Sequence, residues 1–375
     1  MGLAERIELY RQLEEKRKKP LIVYVTSLRE NAAGQIGQDA ISELLAQLET
    51  LPADAKDLDL LLASNGGDAT VAWRIVSLIR ERVDRFSILI PQAAFSAATL
   101  IALGADEIVM HPNGNLGPTD PQITNPQKGI RFGSEDIQAF LRFAREEVGL
   151  TDQSPLRDLF LKFAEEVGFT GVGVATRGSQ LSKMMGEKML SLHMKDTDAR
   201  KQNARAISEA LNTKYFHHGY PLSRKEASEI GLTIATVDTD VEKLMWSIWQ
   251  DIEVELKLRE PFNVMDLFRQ DPACQALFAP VPQMSIPPGV SQQAFQMLLQ
   301  MYSQQAAAHQ VPPTRFEFVT GIMESARHVS RSRASGSVFA GRQPDLDIRW
   351  RMVPEKVGWE DVPLPSAPAQ KTLAP

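Results

Sequence analysis

Residues 58–68 read Leu-Asp-Leu-Leu-Leu-Ala-Ser-Asn-Gly-Gly-Asp. The apolar run over 58–64 has the length and composition of a strand buried on both faces. The Ser-Asn-Gly-Gly-Asp that closes it is turn chemistry. A helix follows from about Ala69 to Arg82, because Ala72, Ile75, Val76 and Ile79 recur at helical spacing. Strand, glycine turn and helix together predict one unit of an open, mostly parallel sheet with helices on both faces.

The same alternation extends in both directions. Upstream, LIVYVTS (21–27) after Pro20 predicts a buried strand, and Ile41, Leu44, Leu45 and Leu48 predict an amphipathic helix over 37–50. Further upstream, Leu3, Ile7, Tyr10 and Leu13 mark a charged amphipathic helix over 3–18. Downstream, FSILIP (86–91) and EIVMHP (107–112) predict a third and a fourth strand. The small-residue stretch between them, from Ala93 to Ala105, predicts a closely packed helix. Right-handed crossovers then follow.

After the loop NLGPTDPQITNPQKG (115–129) the character changes, and residues 134–213 are helical by pattern. YFHHGYPLSRKEASEIGLTIATV (215–237) predicts a turn, a helix from about Ser223, a stop at Gly231 and a last short strand. DIEVELKLRE (251–260) fits an edge strand or a helix equally. The expected organisation is an N-terminal helix (1–19), a main domain (20–250) with a helical insertion (134–213), a largely helical extension (251–335) and a flexible Pro-rich tail (336–375). Within the extension, Phe295, Leu298, Leu299 and Tyr302 mark a helix behind Ser291, and RSRASGSVFAGR (331–342) reads as a solvated basic stretch.

The composition excludes several classes. Formal net charge is −6, so no global basic field invites nucleic acid. The single cysteine, Cys274, excludes an intrachain disulfide and a Cys-rich metal site, and DPACQALF around it contains nothing to activate a thiol. His217 and His218 are adjacent without HExxH or paired-Cys spacing, and no dinucleotide or phosphate-loop glycine pattern occurs, so no cofactor and no metal are expected. The N-terminus lacks the apolar stretch of a signal peptide, and Arg6 stands where a myristoylation signal needs Ser or Thr. The longest apolar run, near 93–105, falls short of the ~20 residues that span a bilayer. These observations predict a soluble, cytoplasmic chain with no membrane anchor of its own.

Two stretches carry chemistry. In Ser64-Asn65-Gly66-Gly67-Asp68 the paired glycines expose backbone N–H groups, which can hold an oxyanion, a phosphate, or nothing beyond a tight turn. In Ala93-Ala94-Phe95-Ser96-Ala97-Ala98, Ser96 stands where a strand gives way to a helix. There its hydroxyl serves as a nucleophile with the Ala97 N–H beside it as an oxyanion donor, or as a plain N-cap. Both stretches fall at C-terminal ends of successive strands, the edge where open α/β sheets place ligands. A donor loop facing a serine elbow is the arrangement acyl transfer requires.

SNGGD followed by a helix, then FSAATLIALGADEIVMHPNGNLGPTDPQ (95–122), resembles the core of the Clp-protease and signal-peptide-peptidase-A superfamily. It is most similar to the group called serine dehydrogenase proteinases. HHGYPLSRKEASEIGL (217–232) resembles that group's late motif, and the likeness covers roughly residues 20–240. It implies a ClpP/crotonase-type spiral of mostly parallel strands and helices, hydrolysis of peptide bonds and assembly into a homo-oligomer. Carried over by position, Ser96 is the nucleophile, and Gly67 and Ala97 supply the oxyanion-hole N–H groups.

The general base departs from the superfamily's patterns. The Clp histidine would fall near Pro118–Pro121, where none occurs, and Ser134, Glu135 and Asp136 occupy the place of the signal-peptide-peptidase lysine. The late motif commonly reads His-Asp-Tyr-Pro, whereas His218-Gly219-Tyr220-Pro221 stands here. His218 is the first candidate base, since imidazole exchanges protons near neutrality, and an exposed turn histidine is its plain alternative. Lys183 and Lys188, on a helix expected over 176–190, come next, each more often a solvated surface lysine. Asp120 either orients a base or caps a turn, and His111 reads as a strand end. A catalytically silent scaffold that binds partners through 250–335 is the alternative function. A crotonase-like acyl-CoA enzyme is disfavoured by the serine elbow and by the lack of an acidic base near either loop. Nothing resembles a nicotinamide site.

Overall fold

The computed structural model describes residues 2–125, 128–194, 197–279, 289–307, 311–343 and 347–365. Helix α1 (Leu3–Arg17) precedes strand β1 (Leu21–Thr26). Then come α2 (Ala40–Glu49), β2 (Asp57–Ala63), α3 (Ala69–Arg82), β3 (Arg85–Ile90), the short β4 (Ala93–Ala94), α4 (Ala97–Leu103), β5 (Glu107–Met110) and β6 (Asn115–Leu116). A small antiparallel pair, β7 (Ile123–Thr124) and β8 (Arg131–Phe132), leads into the helical insertion. That insertion comprises α5 (Ser134–Glu146), α6 (Gln153–Val167), α7 (Phe169–Ser191) and α8 (Asp198–Thr213). The chain continues through α9 (Arg224–Glu229), α10 (Thr239–Glu255), α11 (Val264–Gln270), a 3-10 turn (Pro272–Phe278) and α12 (Gln292–Ala307). It then forms β9 (Thr314–Glu324), β10 (Val329–Arg342) and β11 (Ile348–Asp361).

Among the described residues, seven strands make one sheet in the order β11-β10-β9-β1-β2-β3-β5. Strands β1, β2, β3 and β5 are mutually parallel, with Leu21 opposite Asp59, Leu58 opposite Phe86 and Ser87 opposite Glu107. The alternation of side chains decides which residues face which helices. Leu58, Leu60 and Leu62 of β2 join Ile22, Tyr24, Ile88 and Ile90 in a core shared with α2, α3, α4 and α7. Leu61 and Ala63 point the other way with Val23, Val25, Leu89 and Val109, against Ile7, Tyr10 and Leu13 of α1 and Met245, Ile248 and Ile252 of α10. Burial on both faces explains why β1 and β2 read as near-continuous apolar runs.

Asp59 interrupts β2 and is buried. Arg17 lies 2.8 Å from it, and Arg17 also pairs with Glu107. A buried carboxylate in a central strand requires such a partner.

The C-terminal third corrects the sequence reading. The segment DIEVELKLRE ends a helix, α10, at Glu255. The stretch expected to be helix and then flexible tail forms β9, β10 and β11, which add three antiparallel strands beside β1. RSRASGSVFAGR is not a solvated stretch but the body of β10. Arg331 is 3% exposed and pairs with Glu255 and Glu324, and Ser330 and Ser332 are also buried. A strand that buries an arginine against carboxylates and serines against a carbonyl and a hydroxyl lacks the apolar alternation by which strands are recognised. Pro354 is tolerated because β11 is the edge strand and the ladder is irregular beside it, where Gly336 pairs with Pro354 and Ser335 with Lys356. The final residues of the expected tail, 366–375, lie outside the described residues. The strand expected after Gly231 is a single bridge, Ile108 to Ile234.

Candidate active site

The diglycine turn and the serine elbow meet at the C-terminal ends of β2 and β3. Past those ends the two chain segments pair. Ser64 N–H donates to the Ala93 carbonyl at 2.8 Å, and Phe95 N–H donates to the Ser64 carbonyl at 2.9 Å. The Ser64 hydroxyl lies 2.7 Å from that of Thr26 and accepts from Gly66 N–H at 3.0 Å, which starts the turn. On the turn's other side, Ile36 N–H donates to the Gly66 carbonyl at 2.8 Å and Asp68 N–H to the Ile36 carbonyl at 3.0 Å.

Both glycines are required by space. A Cβ on Gly66 would stand 2.7 Å from the Ser96 Cβ, and one on Gly67 would stand 2.3 Å from the Ile36 carbonyl oxygen. Both have positive φ, 104° and 154°. Asp68 caps α3 by accepting from Thr70 N–H at 2.7 Å, and hydrogen bonds from Thr70 hold its carboxyl below the usual range despite partial burial.

Ser96 has φ 55° and ψ −115°, a conformation rare for a residue with a Cβ that costs on the order of 1–3 kcal/mol. It occupies the N-cap position of α4, yet its side chain makes no capping hydrogen bond. Thr99 pins the elbow from behind, where its hydroxyl reaches the Ala94 carbonyl at 2.7 Å and the Gly117 carbonyl at 2.8 Å. The hydroxyl of Ser96 lines a cavity of about 520 Å³ with Gly66, Gly67, Thr119, Gln122, Arg131 and His218. Among the described residues, no group accepts a hydrogen bond from the N–H of Gly67 or of Ala97.

His218 reaches this cavity because two distant segments are tied together. Leu116 and Leu222 exchange both backbone hydrogen bonds, at 3.1 and 2.8 Å. Thr119 N–H donates to the Leu211 carbonyl at 2.9 Å, and the Ser182 hydroxyl donates to the Thr119 carbonyl at 2.6 Å. Asp120 and His218 therefore face each other, with His218 Nδ1 2.9 Å from Asp120 Oδ1. Gln122 Nε2 donates to the other carboxylate oxygen at 2.7 Å. The Asp120 and His218 side chains are 14% and 24% exposed, so the pair is sheltered, and His218 lines the Ser96 cavity.

The other candidates lie elsewhere. Lys183 pairs with Glu209 at 2.7 Å, and the Lys188 ammonium sits 3.6 Å from the centroid of the Trp73 ring; neither lines the Ser96 cavity. His111 stacks on Trp246 with centroids 4.8 Å apart, accepts from Asn113 N–H, and is held below its ordinary pKa by burial. His217 lines a second cavity of about 750 Å³ with Phe95, Glu135, Tyr215 and Phe216, and that cavity shares Asn65, Gln122, Arg131 and His218 with the first. Cys274 is buried against the Thr314 hydroxyl. The Asp120–His218 contact has no signal in spacing, since the residues stand 98 positions apart. The only hint is that each falls in a motif already singled out.

The fold and this elbow define a class, α/β proteins with a mostly parallel central sheet and a serine at the β4–α4 junction. Residues 2–131 match the family described as ClpP-like SDH-type serine proteinase, which bears out the resemblance to the serine dehydrogenase proteinase group over that segment. Two curated relatives from Methanocaldococcus jannaschii, both called uncharacterized proteins, are each 26% identical to the chain. MJ0137 matches over 264 residues, 65% of this chain and 77% of the relative. MJ1495 matches over 194 residues, 52% of this chain and 57% of the relative. Among solved structures, a serine-to-alanine mutant of the 1510-N membrane-bound stomatin-specific protease overlaps 60% of this chain and 84% of its own, with 18% identity and a TM-score of 0.35. ClpP1 from Listeria monocytogenes overlaps 62% of this chain and 99% of its own, with 14% identity and a TM-score of 0.31. Among the described residues, no helix is long and apolar enough to cross a membrane.

Proposed function

We propose that the chain is a serine-type peptidase acting through Ser96, His218 and Asp120. The observation that carries the reading is that His218, held by Asp120, lines the same cavity as the strained Ser96 and the diglycine turn. Asp120 accepts from His218 Nδ1–H and so leaves Nε2 as the basic nitrogen. That nitrogen takes the Ser96 proton as Oγ bonds to the peptide carbonyl carbon, and the carbonyl oxygen gains the negative charge. The free N–H groups of Gly67 and Ala97 receive it. The C–N bond then breaks, and the imidazolium returns its proton to the departing amine. A water, deprotonated by the same nitrogen, releases the acyl group from Ser96.

A fluorophosphonate probe is expected to label Ser96, and Ser96→Ala is expected to abolish both labelling and peptide hydrolysis. Unchanged hydrolysis by Ser96→Ala would reject the reading.

Assembly into a homo-oligomer belongs to the same reading. It is supported by apolar side chains that the helical insertion leaves exposed, Phe143 at 59%, Phe169 at 61% and Met184 at 52%. Light scattering on the full chain and on Phe143→Asp tests it, and a monomer in both would dismiss it. A cytoplasmic setting is supported by the single cysteine, which is buried.

A further inference from the structure

Away from the Ser96 cavity, Glu43 of α2, His328 of the β9–β10 turn and Asp361 at the end of β11 converge. One ligand atom from each lies within 4.8 Å of the other two. His328 Nε2 is 3.3 Å from Asp361 Oδ1. That nitrogen is shielded from solvent and makes no hydrogen bond among the described residues. The approach of Asp361 falls outside hydrogen-bond geometry, so the hydrogen-bonding capacity of this shielded nitrogen stays unfilled.

The surroundings hold the three in place. Gln47, one turn beyond Glu43, donates to the His328 carbonyl at 3.0 Å, and the Ser325 hydroxyl accepts from His328 N–H at 3.1 Å. Val362 N–H donates to the Val329 carbonyl at 2.9 Å, and Trp359 Nε1–H donates to Asp39 at 2.8 Å, which docks the end of β11 on the start of α2.

We propose that Glu43, His328 and Asp361 form a binding site for a divalent transition cation of the zinc type. One imidazole nitrogen with two carboxylate oxygens suits such an ion, and three protein ligands leave a position for water. Zinc bonds of about 2.0–2.2 Å would draw the three atoms closer than they stand. Asp361, which is exposed, and Glu43, on the rim of α2, supply the movement. The bound cation would clasp the C-terminal strands to α2 and so join the β9–β11 extension to the parallel sheet. No motif announces the site because its ligands come from three separate parts of the chain.

Calorimetric titration of Zn²⁺ into the chelator-treated full chain tests the site, with thermal unfolding read alongside. One saturable equivalent and a rise in Tm are expected. His328→Ala and Asp361→Asn should each weaken binding at least tenfold, whereas His217→Ala should leave it unchanged. Asp361 is exposed, so its variant keeps the test meaningful if His328→Ala folds poorly. No saturable binding, or undiminished affinity in Asp361→Asn, overturns the proposal, as does loss of the equivalent in His217→Ala.

Discussion

His218 Nδ1 and Asp120 Oδ1 stand 2.9 Å apart although one lies in the loop after β6 and the other beyond the whole helical insertion. In the proposed mechanism this contact orients the His218 imidazole as the base. Replacing Asp120 by Asn keeps the shape but favours the wrong tautomer. Peptidase kcat is expected to fall by about three to four orders of magnitude, with little change in Tm. A loss below about tenfold in steady-state kinetics would remove Asp120 from the mechanism.

Gly66 sits so close to the elbow that its substitution should be felt at Ser96 first. Gly66→Ala adds a Cβ 2.6 Å from the Phe95 carbonyl oxygen and demands a positive φ of a residue that disfavours it. The expected outcome is loss of fluorophosphonate labelling and destabilisation of at least about 1–3 kcal/mol. Full labelling with an unchanged denaturation midpoint would show that the turn gives way more easily than its contacts imply.

Thr99 holds the elbow through two carbonyls at once. Thr99→Val keeps the volume and removes the hydroxyl, leaving both oxygens without that partner in a buried site. A destabilisation of about 1–3 kcal/mol is expected from urea titration, and slower acylation should accompany it.

Glu107 makes stability depend on acid. Burial acts to raise its pKa, but hydrogen bonds from Arg17 and Ser87 and the charges of Arg17 and Lys19 outweigh burial and hold it at about 2, below the ordinary glutamate value of 4.5. A carboxylate depressed in the folded state contributes stability above its unfolded pKa. That contribution is lost as pH falls from about 4.5 through about 2. Glu107→Gln should therefore flatten the stability profile over that window. A wild-type slope retained in the variant would assign the acid dependence to other groups.

Arg6 is 1% exposed and bonds Glu324 through two nitrogens at 3.0 and 2.8 Å, with Asp251 and Glu255 also in contact. Truncation strands buried carboxylates, so Arg6→Ala should cost about 3–5 kcal/mol. Thermal and chemical unfolding measure it, and a cost under about 1 kcal/mol would mean that Arg331 neutralises Glu324 unaided.

The parallel half of the sheet was legible because β1, β2, β3 and β5 bury both faces in apolar side chains, and nothing but a strand of that length fits between Pro20, the diglycine turn and Pro91. The elbow was legible too, since strand, small residues and helix follow one another without interruption. The extension was misread for a physical reason. Strand β10 spends buried positions on Ser330, Arg331 and Ser332, whose partners (the Met323 carbonyl, Glu255 with Glu324, and the Thr320 hydroxyl) belong to other elements.

Local sequence determined what each segment of this chain is able to form: the buried strands, the glycine turn, and a serine where a helix begins. Those outcomes depend on side-chain periodicity and backbone freedom within a few residues. Tertiary structure alone decided which of the candidate bases shares a cavity with Ser96, that Asp120 stands 2.9 Å from its imidazole, and that a polar C-terminal stretch becomes sheet. Each of these depends on distances between groups far apart along the chain, which only the packing of the whole molecule sets.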